Sequence, residues 1–135
     1  MALASYAPIA APPFRTARGV VALRRAGGAA VCDRCVVADR TLPRMKGLLG
    51  RRGLAAGEGM LIRPAPSIHT FFMRFPIDVV FLSRDGDVRK VAHNVRPWRI
   101  RSCRGAYAVL ELAAGEAERR GIASGDQLAF TETEP

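Results

Sequence analysis

A mainly β fold is what this sequence predicts: a compact barrel or two-sheet sandwich of about seven to eight short strands with two short helices. Three observations carry the prediction. The apolar residues fall into short runs bounded by Gly, Pro and Asp turn signals, such as Val20–Leu23, Met60–Ile62 and Ile77–Leu82. No strand–helix–strand alternation appears, so a doubly wound parallel sheet is not expected. Asp85-Gly86 sits between two apolar runs, which is a strong hairpin signal because such residues accept a positive φ.

The elements follow in order. Residues 1–17 are rich in Ala and Pro and read as a disordered tail ahead of one domain over 18–135. Val20–Leu23 and Ala30–Val37 read as strands about a Gly27-Gly28 turn. Thr41–Leu49 reads as a short helix, with Thr41 as its cap, Pro43 in the first turn, and Leu42, Met45, Leu48 and Leu49 at helical spacing. Gly57-Glu58-Gly59 turns the chain into a strand at Met60–Ile62, and Pro64-Ala65-Pro66 is an extended linker.

Ser67–Phe75 reads as a central strand. His69, Phe71, Met73 and Phe75 would share one face, and Ile68, Thr70, Phe72 and Arg74 the other, so both faces would be covered. Ile77–Ser83 and Val88–Val95 form the hairpin, and Arg96–Gly105 reads as a loop with Trp98 anchored against the barrel. Ala106–Leu112 is a strand, Gly115–Arg120 a helical turn capped by Gly121, and Gln127–Thr131 the last strand.

Composition narrows the function classes. The chain carries 21 Lys+Arg against 12 Asp+Glu, a formal charge of +9, and all the cations but Lys46 and Lys90 are arginine. An Arg-, Ala- and Gly-rich chain reaches this balance through composition alone, so the charge reads as a solvated basic surface rather than as a nucleic-acid footprint. No run approaches the roughly 20 apolar residues of a membrane span. The N-terminus lacks both the basic start and the unbroken apolar run of a secretory signal, which points to the cytoplasm.

Cys32, Cys35 and Cys103 are an odd set for a disulfide framework. Cys32-x-x-Cys35 is half of a zinc motif with no second half. Residues three apart in a strand face opposite ways, so the pair reads as ordinary reduced cysteines; no metal and no cofactor are expected.

Polar residues in the apolar middle demand partners. Asp78 stands between Ile77 and Val79-Val80, and a lone buried carboxylate is very costly. Arg44, Arg51, Arg74 and His69 are its candidate partners. One reading is a closed internal network fixing the chain at Pro76. A second is a binding or accessory module in which Arg51, His69, Thr70, Arg74 and Asp78 hold a small polar or anionic ligand or a short peptide, with aromatic walls. A third is a hydrolase or transferase with His69 as general base oriented by Asp78, although no nucleophile motif lies nearby. A fourth is a weak nucleic-acid binder working through the Arg96–Arg104 loop, where Trp98 is interleaved with arginines.

Five blocks in order also carry a resemblance. They are Arg44-Met-Lys-Gly47-Leu-Leu-Gly-Arg51, Gly57-Glu-Gly-Met-Leu61, His69-Thr-Phe-Phe-Met73 with Arg-Phe-Pro-Ile-Asp78-Val-Val-Phe81, Val109-Leu-Glu111-Leu-Ala-Ala-Gly115, and Gly121-Ile122 with Gly125-Asp126. From about Val31 to Phe130 the chain resembles the Domain of Unknown Function 192 family (uncharacterised protein family 0127). The resemblance implies a compact β-barrel or sandwich with short helices, and it brings no activity, cofactor or partner. Many relatives carry an N-terminal signal, from which this chain departs. The family signature maps to Arg44, Gly47, Arg51, His69, Thr70, Met73, Asp78 and Glu111, and the Cys-x-x-Cys is not part of it.

Overall fold

A computed structural model describes residues 19–39 and 51–131. The expected tail and the expected helix at Thr41–Leu49, with signature residues Arg44 and Gly47, lie outside the described residues.

Nine strands and one short helix are described. β1 (Gly19–Arg25) and β2 (Ala30–Asp39) pair antiparallel, and Gly27 takes a φ of 71° in the turn between them. β3 (Glu58–Arg63) runs parallel to β2, from Arg34 opposite Glu58 to Asp39 opposite Arg63. β4 (Ser67–His69) leaves this sheet. β5 (Ile77–Leu82) and β6 (Val88–Val95) are the expected hairpin, with Gly86 at φ 91° in its turn. β7 (Ile100–Ser102) lies inside the segment expected to be only a loop. β8 (Ala108–Ala113), α1 (Glu116–Arg119) and β9 (Leu128–Thr131) complete the chain.

The main sheet has the order β6-β5-β8-β3-β2-β1-β9, and β4 pairs with β7 in a second, two-stranded sheet. The large sheet curls into a half-barrel whose ends touch. Asp87 bridges Gln127, the Val88 amide donates to Asp126 at 2.7 Å, and the Leu128 amide donates to Gly86 at 2.9 Å.

Alternation splits the apolar residues into two cores. Leu23, Cys32, Cys35, Leu61, Val80, Leu82, Leu110, Leu112 and Phe130 face the barrel interior. Met60, Ile62, Ile77, Val79, Phe81 and Val109 face outward and are covered by Ala65, Ile68, Met73 and Phe75. β5 is therefore buried at all six positions. The strands covered on both faces are β3, β5 and β8, a place that the residue pattern assigns to Ser67–Phe75. That segment is instead the covering layer: only Ser67–His69 is extended, and the chain then turns through Phe72 at φ 67°.

Candidate functional site

The β4–β7 layer builds the most unusual surface of the molecule. Ile68 enters the outer core while its neighbours stay at the surface, and the ladder sets Ser67 against Ser102, Ile68 against Arg101 and His69 against Ile100. Thr70 then clasps the two segments. It is fully buried, its hydroxyl donates to the Arg96 carbonyl at 2.6 Å, and it accepts the Arg99 amide at 2.9 Å. Its own amide donates to the Arg99 carbonyl at 2.9 Å, and its carbonyl accepts the Trp98 amide at 3.0 Å. Removing this hydroxyl would take a partner from the Arg96 carbonyl and the Arg99 amide.

The clasp fixes what the neighbouring side chains do. Met73 and Phe75 go inward, and Phe71, Phe72 and Trp98 form an array at the surface. The His69 and Phe71 rings stack at 4.6 Å and 24°, Phe71 and Trp98 at 5.6 Å and 27°, and Phe72 meets Trp98 at 4.6 Å and 58°. Phe72 is 69% exposed, Trp98 55% and Ile100 61%. The expectation that Trp98 anchors its loop against the barrel is corrected: it packs on two rings and faces solvent.

Two of these rings sit on strained backbone. Phe72 has φ 67° and Trp98 φ 65°, a left-handed conformation that costs a non-glycine residue about 1–3 kcal/mol. Exposed, apolar and strained residues contribute little to the stability of a fold.

The segments that carry the array are basic. Between Arg63 and Pro76, and again between Asn94 and Leu110, the sequence contains no carboxylate. Arg74, Arg96, Arg99, Arg101 and Arg104 lie in these stretches, fully or partly exposed, and among the described residues none of the five forms an ion pair. A groove of about 220 Å³ runs beside the rings, lined by Ile62, Ala65, Ile68, His69, Phe71 and Ile100.

The candidate residues from the sequence separate. His69 and Thr70 belong to this surface, and Arg74 is exposed between the buried Met73 and Phe75. Arg51 pairs instead with Glu58 at 3.2 Å, and Glu58 also accepts the Ala55 amide, which together hold its carboxyl below the usual range, the amide chiefly.

Asp78 is fully buried, and its partners are neither Arg nor His. Oδ1 accepts the Asn94 amide at 2.8 Å, and Oδ2 accepts the Gly115 and Ala117 amides, both at 2.9 Å. Asp78 thus fastens the start of α1 to the start of β5, and Gly115 at φ 93° makes the turn that allows it. His69 Nδ1 accepts the Phe71 amide at 3.3 Å, so the imidazole and Asp78 take different partners.

Glu111 points out of the barrel from β8, between Met60 and Val79 on the flanking strands, and burial pushes its carboxyl up to about 7. Glu116 is held down at about 2, chiefly by hydrogen bonds from Arg119, with Arg120 at 3.3 Å adding to them.

Sequence reasoning misses Phe71, Phe72 and Ile100 as site residues. An unbroken strand would bury both phenylalanines, and Ile100 lies in what reads as a loop. The adjacent Phe71-Phe72 pair is the available signal, since two neighbouring rings can share a surface only where the strand breaks.

Comparison with known proteins fits this architecture. No curated protein matches the chain. Among solved structures, a Sinorhizobium meliloti 1021 protein, described as "a putative transcription regulator", is 30% identical at a TM-score of 0.72, covering 84% of this chain and 94% of that one. A protein of unknown function from Novosphingobium aromaticivorans DSM 12444 is 27% identical at a TM-score of 0.71, covering 88% of this chain and 93% of that one. The sequence profile of DUF192, an uncharacterized ACR family, matches residues 22–130. The chain belongs to the DUF192 family.

Proposed function

We propose that this protein is a binding module that takes single-stranded nucleic acid across the His69–Phe71–Trp98–Phe72 array. The observation that carries the reading is two solvent-facing aromatic side chains held on left-handed backbone, in segments that carry five arginines and no carboxylate. Rings of this kind stack unpaired bases at about 1–3 kcal/mol per base, and the arginines attract the phosphates. A groove of about 220 Å³ is smaller than the ~300–1,000 Å³ of sites that enclose a drug-sized molecule, so an open platform fits an extended chain better than a small ligand. The ligand site expected around Arg51, His69 and Asp78 has less support, because Asp78 gives both oxygens to backbone amides. The words attached to the Sinorhizobium meliloti protein point in the same direction, for that protein.

The test is fluorescence anisotropy of short labelled DNA and RNA single strands over a salt series. Binding with a log–log salt slope of roughly −2 to −4 is expected if three to five of the arginines engage phosphates. Absence of binding, or binding insensitive to salt, refutes the proposal.

A further inference from the structure

The groove beside the rings has a chemistry of its own. Its floor is apolar, since Ile62, Ala65 and Ile68 belong to the outer core. Two polar side chains line it, Ser67 and His69, which stand two residues apart on β4, about 6–7 Å along the strand. His69 and Phe71 belong to the groove and to the array at once, their rings stacked at 4.6 Å. A strand laid across the rings therefore reaches the groove without leaving the surface.

The tautomer of His69 sets what the groove can recognise. Nδ1 accepts the Phe71 amide at 3.3 Å, so the ring carries its proton on Nε2, and that atom is a donor. Ser67 adds one hydroxyl, which donates or accepts. A base entering the groove thus meets a fixed donor at His69. Thymine answers it with a carbonyl, and its C5-methyl suits walls of isoleucine. Cytosine and adenine carry an amino group instead, which would set donor against donor. Guanine has a carbonyl but brings an amino group that apolar walls leave without an acceptor.

We propose that this groove is a thymine-selective subsite, in which His69 Nε2 donates to a base carbonyl, the Ser67 hydroxyl meets the imide N–H, and Ile62, Ile68 and Ile100 receive the methyl. The inference rests on the single-strand reading and adds which base the strand must carry. His69 and Ser67 are its specificity residues, whereas the exposed rings stack any base.

The experiment is fluorescence anisotropy of the full-length chain at one low salt concentration with three labelled single strands of equal length. One is all deoxycytidine, one has a single internal thymidine, and one has a single internal deoxyuridine. The thymidine should tighten binding at least about fivefold over the deoxycytidine strand, and the deoxyuridine should fall between the two, because it keeps the carbonyl and lacks the methyl. His69→Phe keeps a ring beside Phe71 and removes the donor, at a residue exposed to solvent, and should bring the thymidine-to-cytidine ratio to about one. Ser67→Ala should lower that ratio in part. Equal affinity for the thymidine and deoxycytidine strands, deoxyuridine no better than deoxycytidine, or a ratio that survives in His69→Phe overturns the subsite and leaves the ring platform standing. No binding of any strand removes both.

Discussion

Replacing Asp78 by Asn isolates what the buried carboxylate does. The side chain accepts three backbone amides, from Asn94 at 2.8 Å and from Gly115 and Ala117 at 2.9 Å each. A carboxamide has one acceptor oxygen. In its best orientation it keeps the Gly115 and Ala117 amides on that oxygen and turns its NH₂ toward the Asn94 amide, donor against donor. The two retained bonds lose their charge assistance, at about 1 kcal/mol each, and the orphaned Asn94 amide costs about 1–3 kcal/mol. A loss of about 3–5 kcal/mol follows, large against the 5–15 kcal/mol typical of a whole domain. With a urea m-value of about 1.5 kcal/mol per molar, the unfolding midpoint should fall by roughly 2–3 M at unchanged m. Single-strand affinity of the folded fraction should stay within about twofold of the unaltered protein, because Asp78 sits in β5 against the start of α1 and contacts none of the rings. A loss below about 1 kcal/mol would refute the claim that Asp78 is the fastening between the start of β5 and α1.

Glu111, pushed up to about 7 by burial, folds as the neutral acid, so its contribution is complete below about pH 4 and falls by about 3–4 kcal/mol as pH rises to about 7; in Glu111→Gln, urea midpoints measured across that range should lose this decline. Glu116, held near 2, runs the other way: its contribution is present above about pH 4 and is lost as pH falls toward 2, so Glu116→Gln should flatten the acid limb of the same curve. Phe72→Asn should leave thermal stability unchanged or raise it by up to about 1 kcal/mol, since Asn tolerates the φ of 67°, while weakening single-strand binding several-fold; unchanged binding would remove Phe72 from the proposed surface. Gly59→Ala should cost about 1–3 kcal/mol by calorimetry, because the added methyl would meet Leu112 Cδ2 at 2.9 Å and the Glu111 carbonyl at 3.0 Å as well as the Cys32 sulfur.

Much of the fold is readable in the chain because the signals are local. The Asp85-Gly86 hairpin, the turn at Gly27 and the strand at Met60–Ile62 each announce themselves within a few residues, and the structure has them. The apolar run of β5 correctly marks a strand, and the structure buries it on both faces. What fails is periodicity across a break. Ser67–Phe75 alternates like a strand, yet Thr70 commits its hydroxyl, amide and carbonyl to the segment 96–99, and that tertiary clasp bends the chain outward. Apart from the adjacent Phe71-Phe72 pair, no local pattern carries such information, so the outward turn of Trp98 beside them is hidden. The cysteine pair is misplaced for a related reason: a bulge at Asp33-Arg34 brings both cysteines to the same core, and the β1 register that imposes it lies outside the motif. The need of Asp78 for partners is legible from its neighbours, but their identity is not, because backbone amides leave no mark on a sequence. No helix among the described residues is long and apolar enough to cross a membrane, as the hydropathy pattern implies.

The ring array is the central claim, and nitrogen-15 chemical-shift mapping tests it most directly. The uniformly labelled protein is titrated with a short unlabelled oligothymidine, and the backbone amides and the Trp98 indole are followed. Saturable shifts concentrated in 67–75 and 96–104 are predicted, with the indole among the largest, and they should be lost on adding salt. Shifts centred on another face, or an array that stays silent while the oligonucleotide binds, would contradict the claim.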